Sequence, residues 1–258
     1  MIEGRPYYLR LVSSPEELAR EAAAEFVRLA ADALEGKQNF SVALAGGSTP
    51  QRMYRLLAED ERYRDSVAWD RAEFFWGDER HVPPDHPDSN YRMAFDSLLR
   101  HIPVPPAQIH RIEAENPNAA MAAKAYEGLL VQHFQLSPGE WPQLDLALLG
   151  LGGDGHTASL FPGTDVLDDR QHLVAAPWVE KFHSFRLTLT ANVFNRARHV
   201  IFLVSGKDKA TALKAVLQGN YQPRLFPAQL IRPASGALWL CDRDAASLLT
   251  QPYSMADD

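Results

Sequence analysis

The chain has 258 residues, 46% of them hydrophobic and 23% charged, with a formal net charge of −7 and a single cysteine, Cys241. This is the profile of a globular protein large enough to bury its own core. It excludes an intrachain disulfide and argues against a nucleic-acid partner, because no Lys/Arg block offsets the acidic balance. No run approaches the ~20 apolar residues of a membrane span. The absence of a basic, apolar leader pattern and the cysteine usage together give a cytoplasmic expectation. Residues 1–5 (MIEGR) read as a protease-site remnant or a natural tail and carry no fold information. A small phosphorylated ligand remains compatible with the net charge, since a locally positive pocket binds anions on an acidic protein.

Residues 39–45 (NFSVALA) predict a strand ending at Gly46-Gly47, followed by a helix from Thr49-Pro50 that carries Met53, Tyr54, Leu56 and Leu57. At this junction Gly46 and Gly47 let the backbone approach a ligand, and the helix start offers unpaired N–H groups. Ser48 and Thr49 add hydroxyl donors. The set suits phosphate or another oxyanion, and read alone it is equally an ordinary strand-to-helix turn. No Walker lysine follows, so a nucleotide P-loop is not supported.

Residues 72–76 (AEFFW) predict a second strand, with a loop over 77–89. Asp78, Glu79 and Arg80 then stand at a strand end, where open α/β sheets bind ligands. Arg80 suits bidentate contact with phosphate. An ion-pair cluster holding a long loop explains the segment equally well. Residues 118–135 show helical spacing, and 144–149 (LDLALL) predict a buried strand ending at Gly150. The run that follows, GLGGDGHTASLFP from Gly150 to Pro162, places His156 after four glycines. Histidine exchanges protons near neutral pH, and the glycines can expose N–H groups to a developing oxyanion. A lone histidine is usually structural. Here the strand end, the glycines and Asp154 as an orienting partner favour the functional reading. Gly150, Gly152 and Gly155 also satisfy G-x-G-x-x-G, but no acidic residue ends the next strand ~20 residues on, as dinucleotide binding requires.

Further strands are predicted at 173–176, 186–190, 199–204 and 237–241, and a helix at 207–217. Lys181, Arg186 and Lys209 are cations near strand ends or at a helix start. Lys207 and Lys214 read as the solvated face of that helix. His101, His110, His133, His172, His183 and His199 show no ligand spacing and are taken as surface or structural. No HExxH, paired-cysteine or G-x-S-x-G motif supports zinc or a serine nucleophile. Strand–helix alternation predicts an α/β fold with a mostly parallel sheet covered on both faces. Pro103, Pro105, Pro106, Pro138 and Pro142 punctuate the chain without forming a linker, so one domain over 6–255 is expected, with Asp257-Asp258 fraying.

The pieces GGSTP, WGDERHVPPDHPDSNY, LGLGGDGHTASLFPG, RLTLT, FLVSGKDKATALKAVL and PAQLIRPASGALWLCD occur in this order. Together they resemble the 6-phosphogluconolactonase family. GGDGHTASLFP, and GDERHVP with SNY downstream, are the most specific. The resemblance implies a Rossmann-like three-layer α/β/α fold shared with glucosamine-6-phosphate deaminases. It implies hydrolysis of 6-phosphoglucono-1,5-lactone in the oxidative pentose phosphate pathway, with no metal or organic cofactor and no obligatory protein partner. By residue matching His156 is the general base. Gly46, Gly47, Ser48, Thr49, Arg80, Asp154, Arg186 and Lys209 are the substrate contacts it implies. A deaminase/isomerase is the runner-up, but that family favours DGHIAF over DGHTAS and DEY over DER. A nicotinamide dehydrogenase rests only on the glycine match. A non-catalytic sugar-phosphate sensor would need a DNA-binding module, and no helix-turn-helix precedes Asn39.

Overall fold

FSVAL and LALLG are apolar runs with almost no polar alternation, and such runs form strands buried on both faces. In the computed structural model, which describes residues 7–250, they become adjacent central strands. The strands are β1 (Tyr7–Val12), β2 (Phe40–Leu44), β3 (Ala72–Trp76), β4 (Asp78–Arg80), β5 (Ile109–His110), β6 (Leu146–Gly150), β7 (Val174–Ala175), β8 (Trp178–Val179), β9 (Ser184–Leu189), β10 (His199–Val204) and β11 (Ala237–Asp242). The helices are α1 (Pro15–Gly36), α2 (Ser48–Glu59), α3 (Glu61–Arg64), α4 (Asn90–Ser97), α5 (Ala119–His133), α6 (Ala191–Arg196) and α7 (Ala210–Gln218). The segments 1–5 and 257–258, and the outer ends of the expected domain, lie outside the described residues.

The main sheet has seven parallel strands in the order β1-β11-β10-β6-β2-β3-β5. Helices flank it, giving the expected three-layer α/β architecture. From β2 the chain proceeds outward to β3 and β5. From β6 it proceeds the other way, to β10 and β11. The strand order therefore reverses between β2 and β6, and the crevice beyond their carboxyl ends is where open α/β sheets bind ligands. Core packing fixes those ends. The buried Tyr54 hydroxyl on α2 accepts from the Ala45 N–H at 3.0 Å and donates to the Ala45 carbonyl at 2.9 Å. Thr157 Oγ1 donates to the Gly150 carbonyl at 2.8 Å, tying the glycine loop back onto β6.

Three expectations change in detail, and a reading already set aside loses its structural basis. The segment 77–89 is not all loop, because Asp78–Arg80 forms β4 and pairs antiparallel with β9. The strands expected at 173–176 and 186–190 join β4 and β8 in this smaller antiparallel arrangement instead of extending the parallel sheet. The helix expected over 207–217 begins with a 3-10 turn, Lys207–Lys209, before α7. Finally, β6 runs into a turn and an isolated bridge between Thr157 and Leu160, with no helix opening after Gly155. That removes the dinucleotide reading, since the fingerprint places pyrophosphate on a helix start.

Candidate active site

The ends of β2, β3 and β6 enclose a cavity of about 300 Å³ lined by Gly46, Gly47, Arg80, Gly152, His156 and Lys209, among others. Four segments far apart in sequence thus converge at the switch point. Gly47 caps α2 at φ 102°, a conformation that strains any residue with a Cβ. Gly46 is required by contact instead, because a Cβ there would overlap the Asn90 side-chain amide. That amide donates to the Asp78 carbonyl at 2.9 Å. Ser159 Oγ donates to Asp78 Oδ2 at 2.7 Å, so the buried Asp78 joins the β3 end to the loop after His156.

The His156 ring is held on three sides. Its Nδ1 is hydrogen-bonded to Asp154 Oδ1, and Lys181 Nζ donates to the other Asp154 oxygen at 3.1 Å. Phe161 stacks on the ring with centroids 4.1 Å apart. A Cβ at Gly152 would overlap Nδ1, so only glycine leaves room for the imidazole. The bond from His156, reinforced by Lys181, holds the Asp154 carboxyl well below the usual carboxylate range. Asp154 is therefore an anion that fixes the ring, and the ring's Nε2 has no hydrogen-bond partner among the described residues. Ala158, which also lines the cavity, has φ 46°, a left-handed conformation that costs a non-glycine residue of order 1 kcal/mol and is held by the Thr157–Leu160 bridge.

The cations form a second group. Arg80 on β4 stands directly opposite Arg186 on β9. Burial, and then the like charge of Arg80, lower the Arg186 pKa, and Arg186 does not itself line the cavity. Arg186 also lies over the Phe182 ring at 4.8 Å. Arg80 is anchored through Nη1 to the Asp88 carbonyl at 2.6 Å. Beneath it, the buried Glu79 accepts from the N–H groups of Arg80, Asn90 and Tyr91 at 2.7–2.8 Å and from Ser89 Oγ at 3.0 Å. Burial raises the Glu79 pKa and these donors oppose the rise. Glu79 thus holds the loop together and does not line the cavity.

The expected contacts do not all gather in one place. Gly46, Gly47, Arg80, His156 and Lys209 line the cavity. Ser48 lines an adjoining groove that also includes Arg80 and Asn90, while Thr49 lines neither. Asp154 faces away, into a neighbouring depression with Phe161 and Lys181, and serves the histidine instead of the cavity wall. Lys207 and Lys214 are exposed, as expected. The N–H groups of Gly152 and Gly155 are already used, by the His156 carbonyl at 2.8 Å and the Gly152 carbonyl at 2.9 Å. Those two groups are therefore not free for an anion, whereas the first turn of α2 supplies unpaired donors. Asn90 and Ser159 were given no role by sequence reasoning, and Asp78 was placed at the strand end without these partners. The SNY triplet and the serine of HTAS were visible, but their joint hold on the β3 end appears only in three dimensions.

Residues 13–240 match the glucosamine-6-phosphate isomerase/6-phosphogluconolactonase family. A 6-phosphogluconolactonase of Synechocystis is 41% identical over 209 residues, covering 81% of this chain and 84% of its own. One from Nostoc is 39% identical over 218 residues, covering 84% and 88%. The structure of 6-phosphogluconolactonase from Trypanosoma cruzi superposes with a TM-score of 0.84 at 30% identity, covering 97% of this chain and 99% of that one. With its GGDGHTAS loop and GDERHVP segment meeting at one switch-point cavity, the chain belongs to the glucosamine-6-phosphate isomerase/6-phosphogluconolactonase family.

Proposed function

We propose that the protein hydrolyses 6-phosphoglucono-1,5-lactone to 6-phosphogluconate in the oxidative pentose phosphate pathway. The observation that carries the reading is the Asp154–His156 pair, with His156, Arg80 and Lys209 all lining the switch-point cavity. A lactone is an ester. His156 Nε2 takes a proton from water as the water oxygen attacks the carbonyl carbon, and ionised Asp154 stabilises the imidazolium and fixes its tautomer. The tetrahedral oxyanion is met by unpaired backbone N–H groups near the glycine loops. Cleavage of the bond to the ring oxygen gives the carboxyl group, and His156 returns its proton to the departing alkoxide. Arg80, Arg186, Lys209 and the Gly46-Gly47-Ser48-Thr49 turn bind the phosphate, so that binding energy remote from the reacting carbon orients it.

Residues 6–255 act as one functional unit, in the cytoplasm, on a small sugar phosphate, without an obligatory protein partner. No helix among the described residues is long and apolar enough to cross a membrane. The test is turnover of purified protein on the lactone, corrected for spontaneous hydrolysis, beside turnover on glucosamine 6-phosphate. Deamination of the amino sugar with no lactone hydrolysis above background would reassign the chain within its family.

A further inference from the structure

A second group of ligating side chains lies outside the catalytic cavity. Glu73 is the second residue of β3, His110 belongs to the edge strand β5, and His133 ends α5. Each offers one ligand atom, and the three atoms lie within 4.8 Å of one another. None of the three lines the catalytic cavity. We propose that Glu73, His110 and His133 form a binding site for a divalent transition-metal ion of the zinc class.

The donor set is the first argument. Two imidazoles and a carboxylate are a zinc set, with bonds of about 2.0–2.2 Å and a fourth position for water. Ligand atoms in such a tetrahedron are roughly 3.3 Å apart, so the three atoms, all within 4.8 Å of one another, need only small side-chain adjustments to reach it. The surroundings are the second. Asn39 Nδ2 donates to Glu73 Oε1 at 2.8 Å and orients the carboxylate, the kind of outer partner that metal ligands need. The other oxygen, Oε2, lies 2.7 Å from His110 Nε2, where a metal ion would replace the shared proton. Phe75 stacks on the His110 ring at 4.6 Å and meets the His133 ring edge-on at 5.0 Å, restricting both imidazoles.

Charge is the third argument. Glu73 is 6% exposed, and among the described residues no Lys or Arg pairs with it. A buried carboxylate whose one candidate counter-charge is a histidine is incompletely compensated, and the carboxyl end of α5, with its negative partial charge, adds attraction for a cation. An ion here would clamp the end of α5 to the short edge strand, a structural role apart from catalysis.

The test uses the full chain without a histidine tag, stripped with EDTA and titrated with zinc by calorimetry and with cobalt by visible absorption. The expected result is one zinc per chain, four-coordinate cobalt bands, a higher unfolding temperature with zinc, and an unchanged lactonase rate. Asn39→Ala should weaken zinc binding by ~10–100-fold, and His133→Ala and His110→Ala by more. Circular dichroism identifies any variant that fails to fold, and His133→Ala, at a helix end, provides the decisive comparison. Absence of stoichiometric binding by the wild-type chain would overturn the proposal. So would binding that survives both histidine substitutions, which would place the ion elsewhere.

Discussion

Asp154 closes the Nδ1 side of His156 and leaves Nε2 without a described partner, so the direction in which this imidazole exchanges protons is set by one carboxylate two residues away. The same relationship makes Asp154 a stabilising anion. Its folded-state pKa is depressed, chiefly by the hydrogen bond from His156. Its contribution to stability is therefore complete above the unfolded value of about 4 and is lost as pH falls from there through the folded value.

Asp154→Asn should lower kcat by ~10²–10⁴ through loss of the oriented tautomer, with little change in affinity for 6-phosphogluconate. Denaturant midpoints of wild type and variant should be furthest apart above about pH 5 and begin to converge below about pH 4. A gap that stays constant down to pH 3 would mean that Asp154 titrates normally in the folded state.

Gly152→Ala probes the same ring from the other side. The added methyl group overlaps Nδ1 of His156 and Oδ1 of Asp154. Displacement of the imidazole by an ångström should reduce kcat by ~10²-fold, while circular dichroism and product affinity change little. Unchanged kcat in a folded variant would show that the ring's position is not fixed by that glycine.

Much of this geometry was legible in the sequence. The predominantly apolar runs of β2, β3 and β10 pointed to buried strands, and the glycines after β2 and at the end of β6 marked the ends that carry ligands. α1 also left a signal, because Ser14 followed by Glu17 is a capping box: Ser14 Oγ accepts the Glu17 N–H at 3.2 Å, and Glu17 reaches back to the Ser13 N–H at 2.6 Å, one residue before the cap. The pairing of Arg80 with Arg186 was not legible, since it depends on an antiparallel contact between strands more than 100 residues apart. His110 and His133 were dismissed for lack of local spacing and Glu73 was not singled out, because each comes from a different element. Asp154 was legible as an orienter, but its turn away from the cavity was not.

Arg80→Ala should weaken 6-phosphogluconate binding by ~10–100-fold, the worth of a charge-assisted hydrogen bond, and leave the weak binding of unphosphorylated gluconate almost unchanged. Calorimetry with both ligands reads this directly. Equal losses for the two would remove phosphate recognition as the role of the paired arginines.

Dialysis against EDTA should leave lactone hydrolysis intact and lower the unfolding temperature, since the proposed chemistry runs through His156 and the proposed ion sits apart from it. If activity disappears on chelation and returns with one particular divalent ion, a metal-assisted attack replaces general-base attack.

The central claim is that His156 moves the proton, and stopped-flow hydrolysis of freshly made 6-phosphoglucono-1,5-lactone by wild type and His156→Ala tests it most directly. The spontaneous rate must be subtracted, because the ester is itself labile. The expected result is a loss of ~10²–10⁴ in kcat with a native circular dichroism spectrum and product affinity within a few-fold of wild type. A folded His156→Ala protein that turns over at nearly the wild-type rate would contradict the account.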